Sequence, residues 1–180
     1  MNLAFEIMSC AVAEAPEDKC RSCARAMQVM ADKAGIFGMI GGQGADLAAE
    51  GRQASKEELL FIHKNKTCAL MEASMMAGAI LAGAKEEEVR IVEKVAYGLG
   101  MAFQIRDDIL DVAGDADKLG KPVGSDIKNQ KNTYVSLMGM QKSEEEVKRY
   151  TQEAVSAWQS LAKENRFLED LMLYLTDREM

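Results

Sequence analysis

Hydrophobic positions recur at helical spacing along most of the chain, interrupted by clusters of glycine, proline and capping residues. The run NLAFEIMSCAVA near residues 2–13 is the first such segment. Pro16 suits a first helical position, and Glu17 and Asp18 after it complement the helix dipole, so a second helix should run toward the glycines of 35–44. Ser55 and Glu58 form a capping box before LLFIHKNKTCALMEASMMAGAILAG, which should close near Gly83. A long helix is expected over Glu86–Val112, followed by a loop punctuated by Gly114, Gly120, Pro122 and Gly124. Further helices are expected near Ile127–Met138, after a cap made by Ser143 and Glu146, and over Asn165–Leu175. The pattern predicts an all-α fold in a single helical domain over residues 1–180.

Composition narrows the function classes. A chain of 180 residues suffices for one real core and is too short for two large domains. Two prolines, 6% aromatics and 13 methionines favour helices over sheets, and 48% apolar residues argue against wholesale disorder. With 22 basic and 29 acidic residues the net charge is −7, and no basic cluster could track a nucleic-acid backbone. A local basic site for a small anion stays open. The most apolar run, Cys68 to Ala84, contains Glu72 and falls short of the roughly 20 residues that a membrane span needs, so a buried helix is expected there. Cys20 and Cys23 have the spacing of a redox or zinc half-site but no second pair. Together with Cys10 and Cys68 they read as reduced thiols of a cytoplasmic protein. The N-terminal residues have no basic segment or cleavage pattern of a signal peptide.

One segment does not fit a plain amphipathic helix. MAFQIRDDILDVAGD is oily to Ile105 and then sets Asp107, Asp108 and Asp111 among Ile109, Leu110 and Val112. Asp107 and Asp111 stand about 40° apart around the helix, one turn apart along it, with Gln104 one turn before Asp108. A solvated acidic face is one reading. The other is a site for a hard divalent cation such as Mg²⁺, which takes carboxylates together with phosphate oxygens and water. Lys121 in a glycine-rich loop, Lys131, and Lys64 and Lys66 upstream are either ordinary surface residues or the point charges a diphosphate needs. His63, the one histidine, reads as a residue that orients the chain or lies at the surface.

The segments GGQGADLAAEG, HKNKT, GLGMAFQIRDDILDVAGD, LGKPVGSD and KNTYV stand in the order and spacing of the trans-prenyl diphosphate synthases. Over essentially its whole length the chain most resembles the bacterial farnesyl diphosphate synthase (geranyltranstransferase) type. The resemblance implies an isoprenoid-synthase-type helical bundle around a central cavity. It implies that Asp107, Asp108 and Asp111 are the second aspartate-rich motif and bind Mg²⁺. Lys66, Lys121 and Lys131 would hold the allylic diphosphate, and Thr67 and Gln104 would line the place where the allylic cation develops. Gln43 and Asp46 match the family's GQ-x-x-D motif near the same cavity, and Asp126 would support it from behind. Implied partners are isopentenyl diphosphate, an allylic diphosphate (dimethylallyl or geranyl) and a second copy in a homodimer, with neither nucleic acid nor a membrane span. Val135 stands where many members have proline. The family's first aspartate-rich motif and its N-terminal segments are not found in the 180 residues. The stretch is therefore expected to be the C-terminal part of a synthase, its N-terminal helices missing, and inactive by itself. A non-catalytic regulatory partner subunit of a synthase is the alternative. A helical terpene cyclase is a third reading, opposed by GKPVGSD and KNTY.

Overall fold

The computed structural model describes residues 2–113, 132–161 and 163–176. Among these residues every regular element is a helix. In order they are α1 (Asn2–Ala13), α2 (Glu17–Ala34), α3 (Met39–Ala48), α4 (Lys56–Ile62), a π-helical stretch His63–Cys68, α5 (Ala69–Leu81), α6 (Glu86–Ala113), α7 (Tyr134–Met138), α8 (Met140–Gln159) and α9 (Arg166–Thr176).

The long helix α6 is the spine. Glu86, Glu87 and Glu88 in its first turn complement the dipole, and its interior turns bury Val89, Val92, Val95, Leu99, Met101, Ile105 and Ile109. One core joins Met101, Ala102, Ile105 and Ile109 to Leu59, Cys68, Tyr134, Val147 and Tyr150, so that α6 meets α4, the π stretch, α7 and α8 there. A second joins Val95 and Leu99 to Ala154, Trp158 and Met172. A third ties α2 to α5 through Ala26 and Ile80.

The capping box at Ser55 and Glu58 forms as expected, each side chain bonding the other's backbone N–H. Gly83, just past α5, takes φ +80°, the left-handed conformation that glycine adopts at no steric cost. Other expectations need correcting. Pro16 precedes the helix as its N-cap instead of opening it. The glycine-rich residues after α2 form a helix of their own, α3. Ser143 caps nothing: α8 already begins at Met140, and the fully buried Ser143 hydroxyl donates back to the Gly139 carbonyl at 2.8 Å. The helix expected near Ile127–Met138 starts at Tyr134, capped by Thr133, in its described part.

The Cys68–Ala84 run is buried on one side only. Ala69, Glu72, Ala73 and Ile80 face inward, whereas Leu70 and Leu81 are 39% and 48% exposed. Leu3 and Ile7 on α1 and Phe37 before α3 are exposed as well.

Candidate active site

The stretch HKNKTC is the one place where the helical path from Lys56 to Leu81 widens to a π pitch, a feature found often at functional sites. It is held on two sides by glycines. A Cβ on Gly42 of α3 would lie 2.3 Å from the Lys66 nitrogen, and one on Gly100 of α6 would lie 2.8 Å from the Cys68 Cα. Only a residue without a side chain lets either backbone come this close. Cys68 is fully buried there, and burial pushes its thiol up to about 12, so it is not a nucleophile.

These approaches shape a cleft of about 280 Å³ lined by Asp46, Leu59, Ile62, His63, Lys66, Thr67, Gln104, Asp107, Asp108, Asn132 and Thr133. Lys66 Nζ meets Asp46 Oδ2 at 2.5 Å. Thr67 Oγ1 donates to Gln104 Oε1 at 2.7 Å. The Gln104 amide donates in turn to Asp108 Oδ1 at 3.3 Å, and the Tyr134 backbone N–H donates to Asp108 Oδ2 at 2.6 Å. Four predicted side chains on three elements are thereby brought into one cleft with Asp107 and Asp108.

The three carboxylates, alike in the sequence, have different surroundings. Asp107 is half-buried and lines the cleft. Asp108 is buried and accepts the two hydrogen bonds just given. Asp111, 1% exposed, is outside the cleft lining. Gln43, half-buried on α3, is not a lining residue either. Lys121, Asp126 and Lys131 lie outside the described residues.

His63 is buried, not superficial. Its Nε2 lies 3.6 Å from Asp108 Oδ2, its ring stacks on Tyr134, and its Nδ1 has no hydrogen-bond partner among the described residues. Burial pushes its pKa down to about 4 despite the opposing pull of Asp46, with Lys66 adding to the depression, so the imidazole is neutral near pH 7. Asn132 and Thr133 are lining residues that the sequence reading misses, although KNTYV contains them. Asn132 accepts from the Ala54 N–H and donates to the Ala49 and Arg52 carbonyls, tying the approach to α7 onto the end of α3.

The donors suit Mg²⁺. Carboxylate oxygen is its preferred protein ligand, one or two suffice beside water and phosphate oxygens, and Asp107 and Asp108 of the predicted motif both line the cleft. Among the described residues no three His, Cys, Asp or Glu side chains are grouped to hold a metal by themselves. An ion here would need oxygens from water or substrate.

A second, larger cleft of about 620 Å³ opens beside the N-terminal half of α6, lined by Lys33, Lys64, Glu72, Arg90, Glu93, Lys94, Tyr97 and Glu153 among others. Lys33 forms ion pairs with buried Glu72 and, at 2.7 Å, with Glu93. Lys64, a sequence candidate for the anion site, faces this cleft and not the first.

The family profile described as polyprenyl synthetase matches residues 1–171. Farnesyl diphosphate synthase of Bacillus subtilis is 39% identical over 155 residues, covering 86% of this chain and 52% of that protein. Farnesyl diphosphate synthase of Escherichia coli is 37% identical over 180 residues, covering 98% of this chain and 60% of that one. The chain thus spans about half the length of the curated relatives it matches. The solved structure of a Helicobacter pylori geranyltransferase complexed with magnesium and isoprenyl diphosphate superimposes with a TM-score of 0.78 at 28% identity, over 97% of this chain and 55% of that one. Among the described residues no helix is long and apolar enough to cross a membrane.

Proposed function

The chain belongs to the polyprenyl synthetase family, and on that premise we propose that it carries the allylic-diphosphate half of a prenyl diphosphate synthase site. The reaction joins isopentenyl diphosphate to an allylic diphosphate such as dimethylallyl or geranyl diphosphate, giving a short-chain product such as farnesyl diphosphate. The C–O bond to the allylic diphosphate breaks with its electron pair leaving on the diphosphate. The isopentenyl double bond attacks the allylic carbon, and loss of a proton restores a double bond.

Each step asks something of the cleft. The ammonium of Lys66 is placed to stabilise the departing diphosphate, with Lys121 and Lys131 proposed as its companions. Asp107 is the carboxylate proposed to meet Mg²⁺ directly, with Asp108 and Asp111 behind it in the same motif. Mg²⁺, when bound, would neutralise diphosphate charge and so ease ionisation. The Thr67 hydroxyl and the Gln104 carbonyl supply oxygen dipoles near the developing cation, an electrostatic contribution that is fixed before reaction. Gln43 and Asp46 complete the wall formed by α3, and Asp46 holds Lys66 until an anion competes for it.

The observation that carries this reading is the convergence of Lys66, Thr67, Gln104 and Asp107 from α6 and the π stretch on one cleft. The test is complementation. This chain should yield no prenyl product from labelled geranyl diphosphate, isopentenyl diphosphate and Mg²⁺ on its own. It should yield product when co-purified with the N-terminal half of the Escherichia coli relative. Failure to restore turnover in a stable complex would favour the regulatory-subunit alternative.

A further inference from the structure

The hydrogen bonds of the cleft run in a fixed direction, and that direction has a chemical consequence. Tyr134 N–H, Gln104 and Thr67 are linked end to end through Asp108. A carboxylate has no proton to give, so the Gln104 atom facing Asp108 must be the NH₂ group. The Gln104 carbonyl then faces Thr67, 2.7 Å away, and can only accept. The Thr67 hydroxyl must direct its single proton to Gln104, which leaves its oxygen lone pairs for the cleft it lines.

We infer that Asp108 is a positioning residue: acting through Gln104, it turns Thr67 into an acceptor-only oxygen facing the substrate. The inference rests on the reaction proposed above and deepens it, because it orients the substrate. An acceptor-only oxygen repels diphosphate oxygens and attracts electron-poor carbon. One residue earlier, Lys66 presents a cation with the opposite preference. This orientation fits the placement proposed above, with the anionic group toward Lys66 and the ionising carbon toward Thr67. The backbone N–H of Tyr134 fixes the placement of the Asp108 carboxylate, since a main-chain donor cannot rotate away.

Asp108→Asn separates this role from a merely structural one, because it keeps shape and hydrogen-bond count while reversing polarity. The carbonyl oxygen of the introduced amide would take the Tyr134 N–H, and its NH₂ would face Gln104. Gln104 would flip and offer its own NH₂ to Thr67, whose proton would turn into the cleft. Neutron diffraction from deuterated crystals of the chain reads this directly and needs no substrate. In the wild-type chain the Thr67 deuteron should lie on the line to Gln104, with both amide deuterons on the Gln104 atom facing Asp108. In Asp108→Asn both should be reversed, and inorganic diphosphate should bind at least as tightly as to wild type. A wild-type Thr67 deuteron pointing into the cleft, or an unreversed variant, overturns the inference. If the variant does not fold, the wild-type map alone decides. A correctly oriented relay in a protein that never supports prenyl transfer would count against the proposed reaction and not against the relay.

Discussion

Two of the clefts that border α6 differ in how their buried carboxylates are held. The 620 Å³ cleft at its N-terminal half gathers more charge, but its most buried carboxylate, Glu72, is matched by Lys33, which also holds Glu93. Burial by itself would lower the Lys33 pKa; the two carboxylates more than offset this and raise it, so the ammonium stays charged. In the 280 Å³ cleft near the other end, the buried carboxylate Asp108 is met by neutral donors, a backbone N–H and an amide, beside a neutral imidazole. The larger cleft thus meets its buried carboxylate with a cation, whereas in the smaller one a backbone N–H and an amide bond Asp108 while Lys66 pairs with Asp46. Volume and charge count favour the larger cleft, and the proposed function places the chemistry in the smaller one.

The comparison is broken most severely through Asp107. In the complemented enzyme, Asp107→Ala should lower turnover by about a thousandfold, the loss expected for a metal contact made in the transition state. Glu93→Gln in the other cleft should change steady-state rates by less than about threefold. Equal losses would erase the distinction between the clefts.

Acid should come next. The folded state holds His63 at about 4, below the ordinary 6.5, so the unfolded chain takes up a proton first as pH falls. The stability that neutral His63 preserves is complete above about pH 6.5 and is lost on the way down to about pH 4, amounting to roughly 3 kcal/mol. Urea midpoints measured across that window should fall, and His63→Phe, which retains a ring against Tyr134, should flatten this part of the decline.

Lys33→Met should cost about 2 kcal/mol by leaving Glu72 buried without its cation, and Glu72→Gln added to it should recover much of that. Neither change should alter diphosphate binding in the smaller cleft. Ser55→Ala, remote from both, should cost about 1 kcal/mol through the lost cap, read by thermal unfolding.

Where local chemistry decides the structure, the sequence could be read. The Ser55–Glu58 box, the end of α5 at Gly83 and the phase that puts Gln104 and Asp108 on one side of α6 all follow from neighbours a turn apart. Where a distant segment decides, reading failed. The glycines of MIGGQGADLA argue against a helix until Gly42 is seen pressed on Lys66. Ser143 has the spacing of a cap, and Gly139, at φ +82°, pre-empts it by starting α8 four residues sooner. The bond from the Tyr134 N–H to Asp108 is not legible in the motif because its donor lies 26 residues away. The anion-site lysines Lys121 and Lys131 lie outside the described residues, so Lys66 carries that part of the site here.

The central claim, that diphosphate and Mg²⁺ go to the smaller cleft, is tested most directly by nuclear magnetic resonance. Titrating the ¹⁵N-labelled chain with inorganic diphosphate in the presence of Mg²⁺ should shift the backbone amide signals of Asp46, Lys66, Thr67, Gln104 and Asp107 and the side-chain amide of Gln104, weakly but saturably. Signals of Lys33, Glu72 and Glu93 should stay in place. Shifts confined to those three residues, or spread without saturation over surface lysines, would contradict the account.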